Sequence, residues 1–117
     1  MRYLCLIYDD ERTMSAMPKS EADAFMDEYF ALTEHMRESG HLVAGEALQP
    51  VQTATTLRQR SGRLLTTDGP FAETKEQLGG FYLIEARDLN EALQIAARIP
   101  SVRTGSVEVR PVVDVSG

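Results

Sequence analysis

Two stretches of helical periodicity sit among short apolar runs of strand length, and this order limits the fold more than any other feature of the chain. Residues 2–8 are a continuous apolar run, which suits a strand covered on both faces of its sheet. Ala22, Phe25, Met26, Tyr29, Leu32, Thr33 and Met36 then recur at helical spacing. Ser20 fits the N-cap of that helix, Asp23 the capping-box position and Gly40 a left-handed stop. Residues 42–48 read as a strand that Pro50 ends. Residues 53–59 and 63–67 are strand-like, and Ser61-Gly62 between them is a hairpin signal. Residues 80–86 form the next apolar strand. Asp88 can cap a second helix with Glu91 three residues on, and Leu89, Ala92, Leu93, Ala96 and Ile99 share its face as far as Pro100. Val107, Val109, Val113 and Val115 alternate in the last strand, which Pro111 ends or confines to an edge.

Strand-helix-strand, hairpin, strand-helix-strand is the split βαβ order of an α+β, ferredoxin-like fold with an inserted β-hairpin. At 117 residues the chain is expected to form a single domain spanning residues 1–117. Two amphipathic helices cover one face of such a sheet. The other face also carries apolar side chains, and large exposed apolar patches are rare on monomers, so a second copy of the chain is the expected cover.

A net charge of -6 and a pI near 4.8 argue against nucleic acid as a partner, since phosphate binding needs a basic face. Arg58, Arg60 and Arg63 do cluster, but around the hairpin turn, where they read as a solvated tip. No charged-then-apolar leader and no membrane-length apolar stretch is visible, which makes the expected setting cytoplasmic. Cys5 is the single cysteine and sits inside the first apolar run, so it reads as a buried, inert thiol. His35 and His41 lack the spaced partners of a metal site, and no nucleotide-binding or hydrolase fingerprint occurs; no metal and no cofactor is expected.

Chemistry-bearing residues concentrate in residues 68–81, between two strands. Asp68 opens a turn, but the residue two positions on is Pro70, which has no N–H to offer. The Asp68 carboxylate is left with capping the Phe71 N–H or with a ligand or proton-transfer role. Glu73, Lys75 and Gln77 share a face if the segment is extended. A Glu73–Lys75 or Asp68–Lys75 pair is either a surface ion pair or, inside a cavity, a carboxylate held ready as a base. Gly79 and Gly80 lack side chains where the loop enters a strand, which admits close approach of a ligand or of backbone, or else a bulge or a positive φ.

The run Asp68-Gly69-Pro70-Phe71-Ala72-Glu73-Thr74-Lys75-Glu76-Gln77-Leu78-Gly79-Gly80-Phe81 resembles the signature of the YCII-related family in its DGPF-domain branch. Tyr8-Asp9, residues 42–50 and residues 105–111 extend the resemblance over nearly the whole chain. It implies a dimeric α+β barrel with a cavity between sheet and helices. Asp68, Glu73 and Lys75 become the candidate catalytic residues, and Gln77, Gly79, Gly80, Tyr8, Tyr29 and Glu46, with Asp9, the candidate ligand contacts. A neighbouring branch carries a cooperating His and Asp, at positions that here are Tyr29 and Ile99, so a His–Asp mechanism is not expected. The first functional expectation is a small-molecule-binding homodimer. The alternatives are a lyase, isomerase or dehalogenase using Asp68 or Glu73 as a base, and an accessory protein linked to sigma-factor regulation, with which such proteins are often associated.

Overall fold

The computed structural model of the protein describes residues 1–115. Its elements run β1 (Arg2–Asp9), α1 (Glu11–Ser15), α2 (Lys19–Glu38), β2 (Leu42–Ala47), a 3-10 turn (Val51–Thr53), β3 (Thr55–Arg60), β4 (Arg63–Asp68), β5 (Gln77–Glu85), α3 (Leu89–Ala96), α4 (Ser101–Thr104) and β6 (Ser106–Pro111). Strands β2, β5, β1 and β6 lie side by side in that order, each neighbouring pair antiparallel. Each helical connection therefore skips one strand and returns parallel to the strand it left, the ferredoxin-like α+β arrangement expected from the element order. β3 and β4 form a separate two-stranded sheet, the inserted hairpin. Ser61 (φ 52°) and Gly62 (φ 77°) both take positive φ at its tip, as a tight two-residue turn requires.

The sheet is covered on one side. Tyr3, Cys5 and Ile7 of β1 face inward, opposite Ile84, Tyr82 and Gly80 of β5. Leu32 and Met36 of α2, Ala92 and Ala96 of α3, and Ile99 close over them in a single core cluster. Burying each large side chain here stabilises the fold by about 1.5–3 kcal/mol. The alternate residues Leu4 and Leu6 of β1, with Phe81 and Leu83 opposite them, point to the other face and lie outside that core. No helix among the described residues is long and apolar enough to cross a membrane.

Local differences from the sequence reading have local causes. Helix α2 starts at Lys19 with Pro18 as its N-cap, not at Ser20, and Ala22 N already donates to Pro18 O. Lys19 and Asp23 pair at 2.7 Å in place of a Ser20 capping box. Residues 11–15 form α1 because Asp10 caps them through a bond from Arg12 N. Strand β5 begins at Gln77, three residues before the apolar run, because Gln77 and Leu78 pair with Asp9 and Tyr8. The register slips at that point and leaves Gly79 in a bulge. At Gly80 a Cβ would lie 2.7 Å from the Glu46 carbonyl oxygen, so the missing side chain admits the backbone of β2. Met26, Phe30, Leu89 and Leu93 remain largely exposed although they belong to, or flank, the helical stripes. Strand β6 stops at Pro111, and Val113 and Val115 lie beyond it, exposed.

Cys5 has no exposed surface, and its burial pushes the thiol up to about 11. The native protein should therefore resist thiol-modifying reagents at neutral pH and react fully once unfolded in urea. Rapid labelling of the native protein, followed by mass spectrometry, would refute this.

Candidate functional site

The inward alternation of β1 ends on Asp9, and its carboxylate is held by α4. Ser101 Oγ donates to Asp9 Oδ2 at 2.5 Å, and Thr104 Oγ1 donates to Asp9 Oδ1 at 2.6 Å. Pro100 is the N-cap of α4 and ends the preceding helical stretch, so the turn it starts carries Ser101 inward, to 1% exposure. The chain then crosses Asp9 at Gly105. A Cβ there would stand 2.0 Å from the Tyr8 carbonyl oxygen and 2.6 Å from Asp9 Oδ1, so only glycine allows this approach.

Ser101 Oγ also lies 2.5 Å from the Tyr29 hydroxyl. An ionised carboxylate only accepts, and a serine has one proton. With that proton on Asp9, Tyr29 must donate to Ser101. Thr33, one turn along α2, donates to the Tyr29 carbonyl at 2.8 Å and lies 2.6 Å from the Tyr82 hydroxyl. By the same reasoning Tyr82 donates to Thr33. The rings of Tyr29 and Tyr82 stack with centroids 6.5 Å apart. Each hydroxyl proton in this network thus has an internal acceptor. What remains open is lone pairs: those of the two phenol oxygens and of the Asp9 carboxylate. Burial raises the pKa of the Tyr29 phenol, and the charge of Asp9 adds to it.

A second set of contacts fixes the connector beside this network. Gln77 Oε1 accepts from Glu11 N at 2.9 Å, while Gln77 Nε2 donates to the Thr74 carbonyl at 2.6 Å. Glu11 Oε2 accepts from Val51 N at 3.1 Å, and Glu76 Oε1 accepts from Ser106 Oγ at 2.8 Å. The polar atoms of Gln77 therefore hold the entry to β5 in place.

The structure separates the other residues that sequence reasoning had grouped. Asp68, Glu73 and Lys75 are exposed. Among the described residues their side chains make no hydrogen bond or ion pair, and none of them lines the hollow beside α1 or the groove between α2 and α3. The chain on its own thus does not enclose Asp68 and Glu73 in a common pocket, and neither the Glu73–Lys75 nor the Asp68–Lys75 pair forms. Asp68 does not cap Phe71 either. The turn is held by Gly69 N donating to Ala54 O at 2.7 Å, Thr56 Oγ1 donating to Gly69 O at 2.8 Å and Arg58 donating to Phe71 O at 3.0 Å, and Gly69 supplies φ +104°. Tyr8 and Glu46 alternate onto the uncovered sheet face, whereas Tyr29 and Asp9 belong to the helix side. Ser101, Thr104, Thr33 and Tyr82 were not anticipated. The one local signal the sequence holds is a serine directly after Pro100, and it gains meaning only when β1 lies beside it. Among the described residues no group of three or more His, Cys, Asp or Glu is placed to hold a metal.

A family model for the YCII-related domain matches residues 1–116. The chain belongs to the YCII-related family. Similarity to a protein of Rhizobium meliloti (strain 1021), carrying the name Uncharacterized protein R00369, is 44% identity over 113 residues, covering 95% of this chain and 91% of that protein. In this YCII-related chain Ile99, where the sequence comparison sought an acid, is buried in the core at 1% exposure. A carboxylate nevertheless reaches Tyr29, through Ser101, from Asp9 on a different strand.

Two predictions follow from this geometry. Ser101→Ala removes one donor from Asp9 and the acceptor of Tyr29, and should cost about 1–3 kcal/mol. Urea unfolding should show this as a lower midpoint at unchanged slope, and an unchanged midpoint would contradict it. The second concerns alkali. The pKa of Tyr29 is raised on folding, so its contribution to stability is complete below the ordinary tyrosine pKa of about 10 and is lost as pH climbs through the folded value. Wild type should lose stability in that range more steeply than Tyr29→Phe, and equal slopes in a pH series of thermal melts would show that Tyr29 is not the group responsible.

Proposed function

We propose that this YCII-related protein binds a small hydrogen-bond-donating molecule, of the class of amino alcohols and amines, where Asp9, Thr104, Ser101 and Tyr29 meet at the end of the sheet, beside the connector of residues 69–76. One observation carries the reading: the hydroxyl protons of this network point inward, so its open capacity is acceptor-only and is anchored on a carboxylate. Such a site favours a donor, and a cationic donor most. Asp9 and Tyr29 are half-buried, and the exposed Thr104 marks the open side. A directed phenol–serine–carboxylate chain is also what acid–base chemistry uses, so catalysis at this site would draw on Tyr29 and Asp9.

We place this function in a homodimer. Leu4, Leu6, Phe81 and Leu83 lie on a sheet face outside the core of the chain. The hairpin exposes Leu57, at 62%, and Leu64, at 69%, and two-stranded hairpins are marginal without cover. A second copy supplies cover for both surfaces. Its acidic charge and single buried thiol suit a reducing cytoplasm.

Thermal-shift titration tests the binding. Ethanolamine should raise the melting temperature saturably and glycolate should not. Asp9→Asn or Tyr29→Phe should weaken the ethanolamine effect roughly tenfold, the equivalent of about one charge-assisted hydrogen bond. The absence of saturable stabilisation by ethanolamine, or equal responses of wild type and both variants, would refute the site. Sedimentation equilibrium should return a dimer, and a folded monomer at micromolar concentration would refute the assembly.

A further inference from the structure

A groove of about 300 Å³ lies between the C-terminal half of α2 and α3, and neither Asp9 nor Tyr29 lines it. Its floor is apolar, formed by Leu32, Met36 and Ile95. Its rim includes His35, His41, Gln94, Arg98 and one acid, Glu91. That acid is already engaged: Glu91 Oε2 pairs with Arg87 at 3.1 Å, and Glu91 Oε1 accepts from Arg87 N at 2.9 Å. Arg98, in contrast, makes no side-chain hydrogen bond or ion pair among the described residues, and neither does His35. The two histidines are six positions apart across the end of α2. They share the groove because Gly40, at φ +81°, turns the chain back and His41 N donates to Met36 O at 3.0 Å. His41 Nδ1 lies 2.9 Å from the Glu85 carbonyl, which only accepts, so Nδ1 carries a proton and Nε2 is the remaining polar atom.

We propose that this groove binds a small organic carboxylate with a short apolar tail, its carboxylate taken by Arg98 and His35 and its tail laid on Leu32 and Ile95. The charge argument decides the class. In a chain of net charge -6, this groove offers an unpaired guanidinium and two imidazoles against a single carboxylate already neutralised by Arg87. Its volume matches the small end of ligand pockets, and an apolar floor with few convergent polar groups is the composition such pockets have. This site is independent of the one at Asp9 and selects the opposite charge.

Nuclear magnetic resonance titration with hexanoate tests the proposal, with hexanamide as the uncharged analogue of equal length. Hexanoate should move the imidazole signals of His35 and His41 and the methyl signals of Leu32 and Ile95 along one saturable curve. Arg98→Gln, an exposed substitution, should weaken that curve roughly tenfold, as should His35→Gln, and hexanamide should bind at least as weakly. The proposal is overturned if hexanoate gives no saturable shift, if hexanamide matches it, if both variants bind as wild type does, or if the shifts centre on Tyr29.

Discussion

The central strand β1 is bonded on both edges, to β5 and β6, and it is the element to which everything else is referred. Its alternation divides the molecule. Tyr3, Cys5 and Ile7 go under the helices, while Leu4, Leu6 and Tyr8 go to the bare face. Asp9 is the last inward residue of that series. The periodicity that builds the core therefore delivers a carboxylate at its edge, where two hydroxyls of α4 receive it. A one-residue slip of β1 would put the core residues into water and withdraw the carboxylate, so stability and site depend on the same register.

The network around Asp9 joins four elements distant in sequence: β1, the middle of α2, β5 and α4. Its strength comes from how completely it is satisfied. No buried side-chain nitrogen or oxygen is left without a partner among the described residues. A polar network in which every buried atom has a partner holds its members in one arrangement, whereas loss of a single member leaves the others unpaired. Gly105 belongs to the same construction, since a side chain there would push the entry of β6 away from Tyr8 and Asp9. The connector of residues 69–76 is anchored at its far end through Gln77 and Glu76, while Asp68, Glu73 and Lys75 project outward from it. Much of the long signature thus serves the turn and the strand entry: Gly69 supplies positive φ, Gln77 bonds α1 and Gly80 admits the backbone of β2.

Charge is distributed with similar economy. The acidic face of α2 pairs locally with Lys19 and Arg37 and with Arg103 across the fold, surface contacts that each contribute little. Arg98 is left out of these pairs, so it stands out against an acidic background, beside two histidines that the sequence keeps apart and the end of α2 brings together.

By itself the sequence determined the order of the six strands and the two long helices, but not the short turns α1 and α4, because hydrophobic period, proline and glycine act over a few residues. The helical stripes, the Ser61-Gly62 turn, the Asp88 cap and the buried thiol at Cys5 were all readable on that scale. The resemblance named Asp9 and Tyr29, with Tyr8 and Glu46, as candidate ligand contacts, but not the partners that bond them. Tertiary structure alone decided that Ser101 stands between them, that Tyr8 and Glu46 face away from Tyr29, and that Asp68 and Glu73 share no pocket in the chain. The physical reason is that a hydrogen bond between residues 72 or 92 positions apart leaves no local pattern. It exists only because the packing of apolar faces elsewhere brings the ends of β1, α2 and α4 to one place.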